Sequence, residues 1–185
     1  MSKLVDYAKQ FKSDSYIGHR NYIIVLLFVL TGMRVTALSE ISYQDLSEDL
    51  SKLKVYDKGG KYHEYVFNDK IQLELARYCL ELRKASFRAG IKRKAFFITT
   101  NGKRLNSYTI KEMIEDYSQN ALGYRITPHK IRAAVCSILY DKTQNIEFVR
   151  RAIGHSNIET TKRYIVTENK EREEASELLS QIVLD

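Results

Sequence analysis

The uninterrupted apolar run from Ile23 to Leu30 constrains the fold more than any other feature of the sequence. It is eight residues long, whereas a membrane-spanning helix needs about 20 apolar residues. The run therefore predicts a buried helix of a globular domain. The chain has 185 residues, of which 44% are hydrophobic, which suffices for one substantial core but not for two full domains. We expect a single domain over residues 1–185.

Apolar residues at helical spacing predict helices in most of the remaining chain. The segments with this spacing are residues 4–11, 34–41, 69–87, 108–122, 128–140, 146–153, 158–164 and 172–183. Residues 53–55 and 62–67 instead alternate between apolar and polar, and the glycine turn at 58–61 between them predicts a β-hairpin. Residues 95–99 predict a short strand. The predicted fold class is α+β, mainly α, with a small β-hairpin or sheet at one edge.

Positive charge is concentrated in one part of the chain. The formal net charge is +7, and residues 83–104 include eight basic residues and no acidic one. Such a run favours association with polyanions, and a merely solvated surface is the alternative. Basicity alone does not distinguish DNA, RNA and an anionic membrane. After Ile165 acidic residues predominate, and we expect this tail to face protein rather than nucleic acid.

Targeting and cysteine patterns bear on the compartment. The sequence does not open with a charged segment, an apolar segment and a cleavage site, so we expect a cytoplasmic location. Cys79 and Cys136 lie in helical patterns, far from any paired metal-ligand spacing. We expect both to be buried reduced thiols, with no disulfide and no structural zinc.

Two short patterns place a cation where the backbone turns. In Thr31-Gly32-Met33-Arg34 the arginine follows a helix break, from which its guanidinium could bind a phosphate with two donors. The alternative is a capping or surface arginine. Lys58 lies at the tip of the predicted hairpin, where glycines permit close approach to a backbone phosphate. Here the alternative is a solvated lysine.

Two further patterns involve histidine. His129 and Arg132 lie three positions apart, so one face of a helix presents both to the same anion. Gly154-His155-Ser156 precedes a helical segment that ends in Tyr164, nine residues after the histidine. A tyrosine on a helix is usually a core or interface residue. Each of the four patterns is therefore weak when taken alone.

Together and in this order, the four patterns resemble the tyrosine recombinase (phage integrase) family over nearly the whole chain. The first looks like the family's first arginine box, and the hairpin looks like its lysine-bearing β turn. His129 and Arg132 resemble its His-x-x-Arg box. The segment from Gly154 to Tyr164 resembles the second histidine box with the nucleophile at its expected spacing.

The resemblance implies a catalytic domain for site-specific DNA recombination through a 3′-phosphotyrosine intermediate. The catalytic residues that it implies are Arg34, Lys58, His129, Arg132, His155 and Tyr164. Tyr164 is the expected nucleophile, and Lys58 is the expected acid that protonates the departing 5′-oxygen, with Lys61 as the alternative acid.

The remaining implied roles concern charge at the scissile phosphate. Arg34, Arg132 and His155 are expected to stabilise charge on the non-bridging oxygens. His129 is expected to accept the tyrosine proton or to hold its neighbours. No metal and no cofactor enter this mechanism. An acidic residue common in the family is replaced by Ala37, with Glu40 one turn further on, which puts the support of Arg34 in question.

The expected partner is double-stranded DNA. The predicted DNA contacts outside the catalytic set are Lys61, Arg93, Lys94, Lys103, Arg104 and Lys130. The resemblance implies a tetramer on two DNA sites and a monomer without DNA, in a bacterial or phage-type, nucleoid-associated setting. The C-terminal helix, about residues 170–184, would dock on a neighbouring protomer or pack in cis. The family's N-terminal core-binding domain is expected to be absent from this chain.

Three other functions remain open at this point. A DNA-binding regulator could keep the fold and lose catalysis, although all six polar groups are present. A type IB topoisomerase would share the nucleophile and arginine chemistry but relax supercoils without pairing two sites. A basic helical RNA-binding domain is disfavoured, because the aromatic strand motifs of common RNA modules are not evident.

Overall fold

The computed structural model describes residues 1–12, 15–56, 62–88 and 94–154. This part of the chain contains seven α-helices and two β-strands. In chain order they are α1 (Ser2–Gln10), α2 (Tyr16–Thr31), α3 (Val35–Glu40), β1 (Lys52–Tyr56), β2 (Tyr62–Val66), α4 (Asp69–Arg88), α5 (Ser107–Leu122), α6 (Pro128–Thr143) and α7 (Ile146–Ala152). The chain divides into two compact units within α6, after Val135.

Helix α2 forms the centre of the first unit. The Ser15 hydroxyl caps its first turn by accepting a hydrogen bond from Gly18 N–H (3.1 Å), and every residue from Gly18 to Phe28 is buried. Helices α1, α4 and α5 pack against it. The predicted core helix is confirmed, and it ends at Gly32, whose φ of 57° is the left-handed conformation typical of helix C-termini.

The two strands pair antiparallel as the alternating pattern predicts. The register runs from Lys52 opposite Val66 to Tyr56 opposite Tyr62. Leu53 and Tyr65 are buried on one face, whereas Lys54, Tyr56 and Tyr62 are exposed on the other. The strands are confirmed, and the predicted turn between them lies outside the described residues.

The short strand predicted over residues 95–99 is wrong. The segment forms only two isolated bridges, Ser42 with Ala95 and Ile98 with Arg104. Phe96 N–H donates to the Ile41 carbonyl (2.9 Å), while the Phe97 carbonyl accepts from Leu105 N–H (2.9 Å). Because it pairs with one segment at its start and another at its end, no regular ladder forms.

The second unit begins at Cys136 and includes the end of α6 and α7. The Asn145 side chain caps α7 by accepting a hydrogen bond from Phe148 N–H (2.9 Å). Hydrogen bonds from Arg150 and Arg151 lower the pKa of Glu147 to about 2. The helices predicted over residues 158–164 and 172–183 lie outside the described residues. No helix in the described ranges is long and apolar enough to cross a membrane.

Candidate active site

The first arginine of the pattern lies directly after the turn that ends α2. Thr31 Oγ1 donates to the Leu27 carbonyl (2.7 Å) and accepts from Met33 N–H (3.3 Å), so the turn is tied to the helix before it. Met33 is buried, while Arg34 is exposed at the N-cap position of α3. The buried methionine thus anchors the turn, and the arginine that follows is accessible to an anion from solvent.

The second arginine lies on α6 and reaches the same turn. Arg132 is only 4% exposed, and its Nη1 donates a short hydrogen bond to the Gly32 carbonyl. This bond joins residues 100 positions apart in sequence. It places the guanidinium of Arg132 against the backbone two residues before Arg34. The structure therefore brings the two predicted arginine patterns together, with one buried and one exposed.

His129 lies one turn before Arg132 on α6 and is exposed. The turn is closed by the Thr127 carbonyl, which accepts hydrogen bonds from Lys130 N–H (3.0 Å) and Ile131 N–H (3.2 Å). Lys130 is exposed as well. The start of α6 thus presents an imidazole and an ammonium group to solvent, beside a buried guanidinium. This arrangement suits binding of a phosphodiester, with donors that are already oriented.

Arg104 has a role in the structure that its sequence context does not reveal. Its Nη1 donates to the carbonyls of Ser39 (2.8 Å) and Ile41 (2.9 Å), and its Nη2 donates to Ser42 Oγ (2.8 Å). The sequence pattern predicted a DNA contact here, and the acceptors lie more than 60 positions away in sequence. Lys94 and Lys103, which were predicted as DNA contacts alongside it, are exposed.

The solvent face of the hairpin combines cations with tyrosine rings. Lys54 Nζ lies 5.6 Å from the centroid of the Tyr62 ring, and the rings of Tyr56 and Tyr62 are 6.1 Å apart. Both tyrosines are about 60% exposed. They form the last cross-strand pair before the segment 57–61. Sequence reasoning missed this pair, although the position of two tyrosines beside the glycine turn was visible.

Five of the predicted site residues lie outside the described residues. They are Lys58, Lys61, Arg93, His155 and Tyr164. Of the six predicted catalytic residues, the structure describes Arg34, His129 and Arg132, and all three belong to the first unit.

Comparison with known proteins identifies relatives across almost the whole chain. The profile of the phage integrase family matches residues 1–171. The tyrosine recombinase XerS of Lactococcus lactis subsp. cremoris is 28% identical over 163 residues, which cover 86% of this chain and 45% of the relative. The tyrosine recombinase XerC of Caldanaerobacter subterraneus subsp. tengcongensis is 29% identical over 166 residues, which cover 88% and 45%. This chain thus spans about half the length of these relatives.

Solved structures of recombinases have the same fold. A post-cleavage complex of the XerH site-specific recombinase bound to palindromic difH substrate matches 97% of this chain and 51% of its own, with a TM-score of 0.78 and 20% identity. The XerA recombinase matches 95% of this chain and 61% of its own, with a TM-score of 0.73 and 22% identity. The predicted fold class is confirmed. Since the family profile covers nearly all of its residues, the chain belongs to the phage integrase family.

Proposed function

We propose that this chain catalyses site-specific DNA recombination by cutting and rejoining DNA through a 3′-phosphotyrosine intermediate. The observation that most supports this is the hydrogen bond from Arg132 to the Gly32 carbonyl, which holds a buried guanidinium beside the turn that presents Arg34. Two arginines at one place, a histidine one helical turn away and family membership together favour phosphodiester chemistry.

The proposed reaction breaks one phosphodiester linkage and forms another, so their number does not change. The hydroxyl oxygen of Tyr164 attacks the scissile phosphorus, the bond from phosphorus to the 5′-oxygen breaks, and the 3′ end becomes linked to the tyrosine. The tyrosine proton passes to His129 or to solvent beside it, and Lys58 protonates the departing 5′-oxygen. Attack by a 5′-hydroxyl of another strand reverses these steps and releases Tyr164.

Arg34, Arg132 and His155 stabilise the charge that develops on the non-bridging oxygens in this scheme. Preorganised donors are effective because they need no reorientation as the charge appears. Burial of Arg132 and its bond to Gly32 fix one of these donors in advance. The exposed Arg34 contacts the phosphate when DNA binds.

The proposed partner is double-stranded DNA. Exposed lysines at positions 94, 103 and 130 and the lysine–tyrosine face of the hairpin supply contacts to the sugar-phosphate backbone. A solved relative of the same fold, the Tn1549 transposon integrase, is in complex with transposon right end DNA, with a TM-score of 0.61 to this chain. By analogy, we propose that this chain acts on bacterial or phage DNA. We also propose that it is a monomer without DNA and assembles into a tetramer on two DNA sites.

Covalent capture of DNA tests this function. Nicked duplexes with candidate sites from the ends of the source element are incubated with the wild type, with Arg34→Ala and with Arg132→Ala, and denaturation-resistant adducts are measured. We expect an adduct with the wild type and a loss of roughly 100-fold or more in its rate with either variant. Arg77→Ala is the control, because Arg77 is an exposed arginine that pairs with Glu74 (3.4 Å).

Each alternative function predicts a different result in this assay. A DNA-binding regulator retains the duplexes without forming an adduct. A type IB topoisomerase relaxes supercoiled plasmid but exchanges no strands between two sites. A wild type that neither binds nor captures DNA contradicts the proposal.

A further inference from the structure

The backbone segment that contains Arg34 is held at both ends by buried or half-buried arginines. At its start, Arg132 donates to the Gly32 carbonyl. At its end, Arg104 donates to the Ser39 and Ile41 carbonyls and to Ser42 Oγ. Between these two anchors lie the exposed Arg34 and the helix α3 that it begins.

Helix α3 is too short to be stable by itself. It has six residues, and isolated helices shorter than about 12 residues are marginal in water. The last carbonyls of a helix have no partner within it, and a cation there also interacts favourably with the helix dipole. Arg104 supplies both a hydrogen-bond donor and a positive charge at this end. Its guanidinium binds the carbonyls of Ser39, the penultimate residue of α3, and Ile41, its C-cap.

The backbone of Arg104 is tied to a neighbouring segment as well. It forms a bridge with Ile98, flanked by hydrogen bonds from Thr99 N–H to the Lys103 carbonyl (2.8 Å) and from Leu105 N–H to the Phe97 carbonyl (2.9 Å). Ile98 and Leu105 are buried in the core. Arg104 therefore connects the core to α3, and a movement of its guanidinium is transmitted to the helix that begins at Arg34.

We infer that Arg104 is a positioning residue that holds α3 so that Arg34 meets the scissile phosphate, rather than a ligand of the DNA. This inference rests on the proposed function of Arg34. Three of its N–H to oxygen contacts are to protein acceptors at 2.8–2.9 Å, which is the distance of well-formed hydrogen bonds. These contacts use three of the five N–H donors of the guanidinium and fix its orientation toward α3.

The test compares Arg104→Met with the wild type and with Arg77→Met. Each protein is titrated with a nicked duplex, which separates the maximum rate of adduct formation from the affinity for DNA. Displacement of a reacting group by about 1 Å costs up to 100-fold in rate, so we expect Arg104→Met to lower the maximum rate roughly 10- to 100-fold. The affinity for DNA should stay within about 3-fold of wild type, because the substitution removes no contact to a DNA phosphate.

A double-mutant cycle distinguishes action through Arg34 from general damage. In an Arg34→Lys background, Arg104→Met should lower the rate by less than about 3-fold, because the group that it positions is already replaced. Equal losses in both backgrounds overturn the inference. So does an unchanged maximum rate combined with weaker DNA binding, which would make Arg104 a DNA ligand.

Two further controls keep the result interpretable. If Arg104→Met is not folded at the assay temperature, Arg104→Lys replaces it, since lysine keeps the charge but cannot reach all three acceptors. An unchanged rate with that variant also overturns the inference. If the wild type and Arg77→Met form no adduct, the proposed function itself has failed, whereas a normal rate with Arg104→Met in the presence of wild-type adduct rejects only the role of Arg104.

Discussion

At the scale of single residues, Arg132 has a structural role in addition to its proposed chemical one. Its guanidinium is almost fully buried and bonds to the Gly32 carbonyl, so its removal affects the fold as well as the site. Leaving a buried carbonyl without its charged hydrogen-bond donor lowers the free energy of unfolding by about 1–3 kcal/mol. We therefore expect Arg132→Met to lower the free energy of unfolding by about that amount, as measured by urea denaturation.

The neighbouring Lys130 provides a matched control for this prediction. It lies on the same helix and is exposed. Surface substitutions of this kind change stability by no more than about 0.5 kcal/mol, so Lys130→Met should unfold at nearly the wild-type urea concentration. Equal stability of the two variants would contradict the structural role of Arg132.

His19 is buried in α2 and gives the domain a pH dependence. Its Nε2 has no hydrogen-bond partner among the described residues. Burial lowers the pKa of His19 below its usual value, and the nearby Lys12 lowers it further, while Glu74 and Glu81 act in the opposite direction and Arg77 in the same one. Protonation is thus harder in the folded state than in the unfolded chain, where the imidazole has its ordinary pKa.

A lowered histidine pKa means that stability falls as the pH falls. Above the unfolded pKa of about 6.5 the residue is neutral in both states, and below it the unfolded chain binds a proton more readily. We expect the wild type to lose more unfolding free energy between pH 7.5 and 5.5 than His19→Phe, which cannot titrate but keeps a ring beside Tyr78. Parallel losses in the two proteins would exclude His19 as a source of acid sensitivity.

At the scale of elements, the approach of α1 to α2 depends on Gly18. A Cβ at this position would collide with the carbonyl oxygen of Phe11, which is a backbone atom and cannot rotate away. Helix propensity alone predicts that Gly18→Ala stabilises α2 by about 1 kcal/mol. The contact predicts the opposite sign, because overpacking costs about 1–3 kcal/mol.

We expect Gly18→Ala to lower the melting temperature. Gly123→Ala is the comparison, since Gly123 has open space around it and a φ of +86°, where alanine costs roughly 1–2 kcal/mol through conformation alone. A melting temperature above wild type for Gly18→Ala would show that α1 can shift without loss of stability and that the two helices are not tightly packed there.

The sequence predicts those elements whose pattern is local. The apolar run of α2 and the alternation in β1 and β2 each show burial and periodicity within a few residues, and both are confirmed. Residues 95–99 also form an apolar run, but such a run does not reveal which segments it pairs with. Here it pairs with two different segments, one at Ser42 and one at Arg104.

The candidate site also combines features that a local pattern predicts with contacts that it does not predict. The positions of Arg34 and Arg132 follow from motif resemblance, since each motif lies within four residues. The bond between Arg132 and Gly32, and the three bonds of Arg104, join residues 62 or more positions apart. No local periodicity encodes such contacts, so only the folded chain reveals them. The sequence context of Arg104 predicts a DNA contact, and its contacts to protein acceptors appear only in the folded chain.

At the scale of the whole molecule, the excess of positive charge suits the proposed binding to DNA. The net charge of +7 and the exposed lysines at 94, 103 and 130 favour binding that releases counterions. With three or more phosphate contacts, the logarithm of the binding constant should fall against the logarithm of salt concentration with a slope of about −3 or steeper.

Single lysine variants test which cations are responsible. Lys130→Ala should reduce the magnitude of the slope by about 1, whereas Lys9→Ala, an exposed lysine at the end of α1, should leave it unchanged. Fluorescence anisotropy with a labelled duplex at several salt concentrations measures both. A salt-independent affinity would contradict electrostatic binding of the DNA backbone.

In the proposed mechanism one tyrosine becomes linked to DNA, and the most direct test is to identify that residue. The wild-type adduct on a nicked duplex is digested with nuclease and protease, and tandem mass spectrometry locates the remaining nucleotide. Among the thirteen tyrosines of the chain, we predict that only Tyr164 is modified and that Tyr164→Phe forms no adduct. A nucleotide on another tyrosine, such as the exposed Tyr108 or Tyr124, or an adduct that persists in Tyr164→Phe, would contradict the proposed mechanism.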